Sequence, residues 1–269
     1  LQNDWSITMK FEKKIAKLGK GEVSYYVIGE GSPVLYLHGA GGLLKSKAHE
    51  LLSANHKIYL PVTPGYDGTE ILTGINSMPS LADLTADFIA SEIGEGCDVV
   101  GHSFGGWLAC WLAVNHPTKV ELLILEAPAG FRPGGKGGLD HPPEELAKLL
   151  AAYPEKYPDD DRSFDMIKNN RDDIRLHYHK GMPLDEELVT RLGEIRSSTL
   201  LVYGTLEKIV PIETCRILKA SIPRIYFNYI YDAAHTIEVD QPERFVSLVG
   251  EFLERGEAFL VNNKSGSVA

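Results

Sequence analysis

A serine hydroxyl attacks an acyl carbon at neutral pH only when a base takes its proton. The base in turn needs a carboxylate to fix its tautomer and stabilise its charged form. One serine in this chain stands in a setting that suits such chemistry: Gly101-His102-Ser103-Phe104-Gly105. It follows the apolar pair Val99-Val100 and precedes an apolar run to Asn115. Strand, abrupt turn with the serine at its tip, then helix is the context in which G-x-S-x-G carries meaning. Such a turn forces the serine to positive φ, and chain passes so close on both sides that the residues two before and two after must be small. Gly101 and Gly105 meet that demand, and Gly106 adds room. The turn lifts the hydroxyl above the carboxyl edge of a sheet and aims the Phe104 amide at the reacting atoms. Five-residue patterns of this kind also arise by chance at strand-to-helix turns, so the weight rests on what precedes and follows.

In a site of this kind the partners follow in the order serine, acid, histidine. Downstream of Ser103, His116 falls at the far end of the following helix, and His141, His177 and His179 fall in a different region of the chain. His235 alone follows the last strand, in Asp232-Ala233-Ala234-His235-Thr236. The acid is expected after the strand Thr199 to Tyr203, where Glu207 is the one carboxylate in the loop. Glu126, ending the previous strand, is the rival, and Asp232 stands too near His235 in sequence to fold back on it. The negative charge that develops in the transition state needs amide donors. One is Phe104; Ala40, in His38-Gly39-Ala40-Gly41-Gly42, is the choice for the other, with Gly41 next. His38 reads as a residue that packs and holds this loop.

The elements that would position these groups alternate between strands and helices. Val23, Tyr25 and Val27 share one face of an entering hairpin over Ile15 to Ile28. Pro33 to His38, Lys57 to Val62, Val120 to Leu125, Thr199 to Tyr203 and Ile225 to Tyr231 read as strands. Leu43 to Asn55, Leu81 to Ile93 (capped by Ser80), Ile212 to Ala220 and Pro242 to Arg255 read as helices. That alternation implies βαβ units and a mostly parallel sheet. Between them, Phe131 to Pro143 is a linker rich in glycine and proline, and Glu144 to Tyr153, Arg162 to Lys180 and Leu184 to Ile195 read as more polar helices. The region 131–198 is therefore expected to be a lid inserted over the carboxyl edge of a core made of 1–130 and 199–269, with the last dozen residues frayed. Its aromatics, Phe131, Tyr153, Tyr157, Phe164 and Tyr178, mostly fix the lid to the core, and Trp107 and Trp111 read as core. Its removal is expected to change substrate range more than the reactivity of Ser103.

The segments LYLHGAGG, LPVTPGYDGT, VVGHSFGGWLA, LLVYGTLEKIVP and DAAHTIEVDQPERF together resemble the α/β-hydrolase family from about Val23 to Gly130 and from Thr199 to Leu253. The resemblance implies an eight-stranded, mostly parallel sheet with helices on both faces and a helical lid. It also implies a serine acyl-enzyme mechanism in which Ser103 attacks, His235 acts as base and then acid, and water releases the product. Two positions depart from the family pattern: Glu207 replaces the usual aspartate, and Val62 stands where aspartate is common.

Composition narrows the alternatives. With 269 residues, 43% of them hydrophobic, the chain can bury one large core. The net charge of −10 argues against nucleic acid or an anionic membrane surface as partner. Val99 to Thr118 lacks charged residues, but His102, Ser103, the glycines and His116 interrupt it, and strand plus buried helix explains it better than a membrane span. Three scattered cysteines give neither a disulfide framework nor zinc spacing, and Lys10 to Lys14 occupy the place a leader's apolar core would need; a cytoplasmic protein is expected. His177 and His179, two apart on a helix, face different ways, so no metal is expected, and Gly39 to Gly42 lacks the lysine of a phosphate loop, so no cofactor is expected. Serine at the elbow excludes the aspartate-nucleophile dehalogenases and epoxide hydrolases. The readings that remain are a carboxylic ester hydrolase for small to medium acyl substrates, a carbon–carbon bond hydrolase on the same fold, and a non-catalytic ligand-binding protein.

Overall fold

The structure, a computed structural model, describes residues 10–134 and 143–260. Most of the expected linker over 131–143 and residues 261–269 of the stretch expected to fray lie outside that range; Ala258 to Leu260, expected to fray, instead end a short helical turn, Gly256–Leu260. Eight strands form one sheet: β1 Glu12–Leu18, β2 Gly21–Ile28, β3 Ser32–Leu37, β4 His56–Pro61, β5 Cys97–His102, β6 Val120–Glu126, β7 Ser198–Gly204 and β8 Ile225–Ile230. Their spatial order is β1-β2-β4-β3-β5-β6-β7-β8. β1 and β2 form the entering hairpin and β2 runs antiparallel to β4; every later pairing is parallel. β5 and β7 are buried at every residue, as expected of strands covered on both faces.

The helices that connect them cover the sheet. α1 Lys47–Leu52 packs against α10 Pro242–Arg255, and α2 Met78–Phe88 packs against α3 Phe104–Asn115. α1 is shorter than the run from Leu43 to Asn55 suggested, because the chain turns into it only after Ser46. The cap of α2 is Ser77 rather than Ser80: the Ser77 hydroxyl accepts the Ser80 amide at 3.2 Å, and the Ser80 hydroxyl reaches back to the Ser77 amide at 3.0 Å. This reciprocal pair satisfies two amides that the first turn of a helix leaves open. The chain turns away from β3 to β4 in one direction and to β5 and β6 in the other. The carboxyl ends of β3 and β5 therefore flank the crevice where the order reverses, the place such sheets keep their ligands.

Between β6 and β7 the described residues form α4 Pro143–Leu150, α5 Phe164–Asn169, α6 Arg175–His179 and α7 Glu186–Arg191 and add no strand to the sheet. α5 and α6 are one helix joined by a wider π turn, Asn170–Ile174, which agrees with the single helix expected there. α7 is anchored by Asp185. One carboxylate oxygen caps its first turn through the Leu188 amide at 3.0 Å, and the other accepts the indole N–H groups of Trp107 and Trp111 at 2.8 and 2.7 Å. After β7 come α8 Ile212–Ser221 and, beyond β8, the short α9 Ile237–Asp240 that leads into α10. Among the described residues no helix is long and apolar enough to cross a membrane.

Candidate active site

Ser103 has φ 52 and ψ −111, a strained pair for a residue with a Cβ. The strain persists because the surroundings over-determine it. The Ser103 amide donates to the Glu126 carbonyl at 2.9 Å, and the Ser103 carbonyl accepts the amides of Gly106, Trp107 and Ala129. The flanking glycines are sterically required. A Cβ on Gly105 would lie 2.0 Å from the Leu37 carbonyl oxygen, and one on Gly101 would lie 2.5 Å from the Gly105 carbonyl oxygen.

Backbone bonds between the loops after β7 and β8 bring the second and third groups together. Leu206 donates to the Ala233 carbonyl at 2.9 Å and Thr205 to the Ile230 carbonyl at 3.0 Å. Glu207 Oε2 then lies 2.7 Å from His235 Nδ1, both side chains being almost fully buried. The other Glu207 oxygen accepts the amides of Ile209 at 2.5 Å and Val210 at 3.0 Å. Burial alone would raise the pKa of this carboxyl. The facing His235 and the two amides outweigh burial and hold it below the ordinary glutamate value. His235 is fixed from behind as well. Its carbonyl accepts His102 Nε2 at 3.1 Å. Its loop is tied down by Asp240, which accepts the amides of Ala234, Ala152 and Tyr153 at 2.7, 3.0 and 2.9 Å.

Glu126, the rival acid, turns elsewhere. It is completely buried, and its Oε1 accepts the Glu238 amide at 3.1 Å. Tyr36 donates to Glu238 Oε1 at 3.3 Å, while the Oε2 atoms of both glutamates have no hydrogen-bond partner among the described residues. Two bare carboxylate oxygens buried side by side would cost about 1–3 kcal/mol each. Burial, followed by the charge of Glu238, pushes the Glu126 carboxyl well above its ordinary value, so the pair holds a proton. His102, Glu126 and Glu238 place possible metal-ligand atoms within 4.8 Å of one another. Neither Glu238 nor Asp240 stood out in the sequence.

Ser103 and His235 line one cavity of about 170 Å³, together with Gly39, Ala40 and Gly41. Gly39 lies directly over the serine: a Cβ there would be 3.5 Å from Ser103 Cβ. Phe104 follows Ser103 as the first residue of α3, its ring 5.7 Å from that of Tyr66. His38 is buried and holds its loop as expected, donating from Nδ1 to the Gly39 carbonyl at 2.8 Å and accepting the Thr63 amide at Nε2. Leu150, Tyr157 and Ile167 reach the same cavity from the segment between β6 and β7, as do Arg162 and Arg171. Of the five aromatics named in that segment only Tyr157 lines it, its hydroxyl 2.9 Å from the Thr236 hydroxyl; Phe131 and Tyr178 are buried and Phe164 is exposed. A larger cavity of about 240 Å³ includes neither Ser103 nor His235.

The sequence model of the Alpha/beta hydrolase family matches residues 34–248. This chain belongs to that family. Among curated proteins, the α/β hydrolase is 24% identical to 2-hydroxymuconate semialdehyde hydrolase of Pseudomonas sp. (strain CF600), over 87% of this chain and 91% of that protein. It is 26% identical to pimeloyl-[acyl-carrier protein] methyl ester esterase of Aeromonas salmonicida (strain A449), over 86% of this chain and 99% of the relative. It is 25% identical to 2-hydroxy-6-oxo-2,4-heptadienoate hydrolase of Pseudomonas putida, over 86% and 92%. The fold is shared with a meta-cleavage product hydrolase from Pseudomonas fluorescens IP01, with a TM-score of 0.74 at 21% identity over 90% of this chain and 97% of that one.

Proposed function

We propose that this α/β hydrolase cleaves carboxylic esters of small to medium acyl substrates through an acyl-enzyme on Ser103. His235 takes the hydroxyl proton as the oxygen attacks the acyl carbon, and Glu207 holds His235 in the required tautomer. The amides of Ala40 and Phe104 receive the developing oxyanion. Collapse of the tetrahedral intermediate breaks the ester bond, and His235 returns the proton to the leaving alcohol. A water then repeats the sequence on the acyl-enzyme and releases the acid. The segment 131–198 is the cap over this site.

The observation that carries the reading is the buried contact of 2.7 Å between His235 and Glu207, beside a cavity that Ser103 also lines. The cavity of about 170 Å³ is below the ~300 Å³ typical of sites for drug-sized ligands, which favours a short acyl chain. p-Nitrophenyl acetate and butyrate test the proposal. Turnover by the wild type that is lost in Ser103→Ala, together with labelling of Ser103 by a fluorophosphonate, supports it; turnover unchanged in Ser103→Ala sinks it.

A second reading, hydrolysis of a carbon–carbon bond, is favoured by the similarity to the semialdehyde and dienoate hydrolases. The guanidinium groups of Arg162 and Arg171 on the cavity wall are already paired with Asp67, Asp160 and Asp172, so they do not by themselves mark a site for a substrate carboxylate. A substrate screen that includes such dienoates separates the two reactions. Labelling of Ser103 would also count against a non-catalytic binding protein.

A further inference from the structure

Asp67 sits in the left-handed region, at φ 51 and ψ 37, a conformation unfavourable to any residue with a Cβ. Its hydrogen bonds show what holds it there. Oδ2 accepts the Leu43 amide at 2.9 Å. Oδ1 accepts Arg162 Nη1 at 3.0 Å and Asn170 Nδ2 at 2.7 Å, and the Asp67 amide donates to Asn170 Oδ1 at 3.1 Å. The same two donors also reach the core chain: Arg162 Nη1 and Asn170 Nδ2 bond the Gly41 carbonyl at 3.0 and 3.1 Å.

Gly41 lies inside the turn closed by the Gly42 amide on the Gly39 carbonyl at 3.1 Å, the turn that overlies Ser103. The packing around it leaves no slack. Asn170 is fully buried, and a Cβ on Gly42, itself at φ 93, would lie 2.2 Å from Asp67 Oδ1 and 2.6 Å from Asn170 Nδ2. Asn170 also opens the π turn of its helix, a rare widening that concentrates at functional positions.

We propose that Asp67, Arg162 and Asn170 are positioning residues that set the oxyanion turn, so that docking of the cap completes the site; this rests on the serine-hydrolase reading above. A peptide unit is planar, so fixing the Gly41 carbonyl fixes the whole Gly41–Gly42 peptide. With the Gly39 carbonyl tied across the turn, the Ala40 and Gly41 amides keep little freedom to rotate. Oxyanion donors work only when aimed in advance, and a misplacement of about 1 Å can cost about 100-fold in rate. The cap then governs the rate of the chemical step as well as the choice of substrate, more than its sequence alone suggested.

Asp67→Gly tests this without backbone strain, because glycine takes φ 51 freely, and a thermal melt reads the cost of the donors it strands. Asn170→Ala tests the other side of the clamp, and Asp67→Asn, which tolerates the left-handed region and keeps an acceptor, is the conservative rescue. The readouts are kcat and KM on p-nitrophenyl acetate and butyrate, with a thermal melt of each variant. Asp67→Gly and Asn170→Ala are expected to lower kcat by about 10- to 100-fold with KM within about 3-fold of wild type, the signature of an interaction realised in the transition state. Asp67→Asn is expected to recover most of the loss. A wild type that labels and turns over while both variants keep kcat within about twofold overturns the clamp alone. So do variants whose melting temperature falls while kcat of the folded enzyme holds. A wild type that neither turns over nor takes the fluorophosphonate overturns the serine-hydrolase reading and the clamp with it.

Discussion

Changing Glu207 in two ways, with a change at Glu126 as control, separates its reach from its charge and tests its identity as the carboxylate behind His235. The carboxylate contacts the ring at 2.7 Å and is held on its other oxygen by the amides of Ile209 and Val210. Glu207→Asp shortens the side chain by one carbon–carbon bond, about 1.5 Å. The amides keep their grip near the backbone, so the contact with His235 opens to about 4 Å, beyond hydrogen-bond range. A charge-assisted hydrogen bond of this kind is worth about 1.5–3 kcal/mol, so kcat is expected to fall about 10- to 150-fold. Glu207→Gln keeps the reach but offers an amide that can donate to Nδ1 and hold the wrong tautomer. The corresponding substitution in a well-studied serine protease lowers kcat about 10⁴-fold, and a loss of that order is expected here. Glu126→Gln is the control, because that carboxyl holds a proton against Glu238 and makes no bond to His235. Steady-state kinetics on p-nitrophenyl butyrate at pH 7 gives all three values. The assignment is refuted if Glu207→Gln keeps a tenth or more of wild-type kcat, or if Glu126→Gln loses as much.

Three further outcomes follow from packing and burial. Burial lowers His49 to about 4, against about 6.5 unfolded, so the unfolded chain binds the extra proton and the histidine costs stability as the pH falls below 6.5. The advantage of wild type over the non-titrating His49→Gln should shrink by on the order of 2 kcal/mol between pH 7 and pH 5 in urea titrations, and a constant gap contradicts it. The comparison of two proteins is needed because Glu126 and Asp98 have raised values, Asp98 to about 7, and pull the wild-type curve the other way. Gly105→Ala drives a methyl into the Leu37 carbonyl and should cost about 3 kcal/mol or more; a loss below about 1 kcal/mol would show that the elbow can relax. Asp185→Ala strands two buried indole N–H groups and removes a helix cap, so about 3–5 kcal/mol should be lost, and a loss under about 1.5 kcal/mol would mean that the indoles find other partners.

What the sequence made legible was whatever depends on neighbours in the chain. The elbow is a local steric problem, and Gly101, Ser103 and Gly105 announce its solution. Buried strands show as mainly apolar runs, and β7, with Leu200 to Tyr203 at its centre, is buried at every residue. The position of Glu207 in the loop after β7 was enough to rank it first. What stayed hidden was set by pairings across long stretches of chain. Asp185 fell inside the helix expected over Leu184 to Ile195; the structure makes it that helix's cap, and nothing near it reveals that Trp107 and Trp111 donate to its other oxygen. Asp67 looks like a turn residue, and only the folded chain brings Asn170 to its carboxylate. Glu238 and Asp240 did not stand out in the sequence, yet one lines the cavity and the other anchors the loop of His235. Ser77 and Ser80 bond each other, so the cap is decided by where the helical backbone begins, at Met78.

Glu126 and Glu207 show why residue type alone could not decide between them. Glu126 ends β6 and Glu207 follows the neighbouring β7, and both side chains are buried. Glu207 faces a ring nitrogen and two amide donors, which favour its charged form, and its environment makes it an acceptor. Glu126 faces another carboxyl in a volume with few donors, which favours its neutral form. A neutral acid cannot stabilise a charged imidazole, whatever its distance, so the fold divides two equivalent glutamates by what surrounds each. The extra methylene of Glu207 relative to aspartate fits the same logic. The loop stitched between Leu206 and Ala233 sets where the carboxylate starts, and the longer side chain spans the gap that remains to Nδ1.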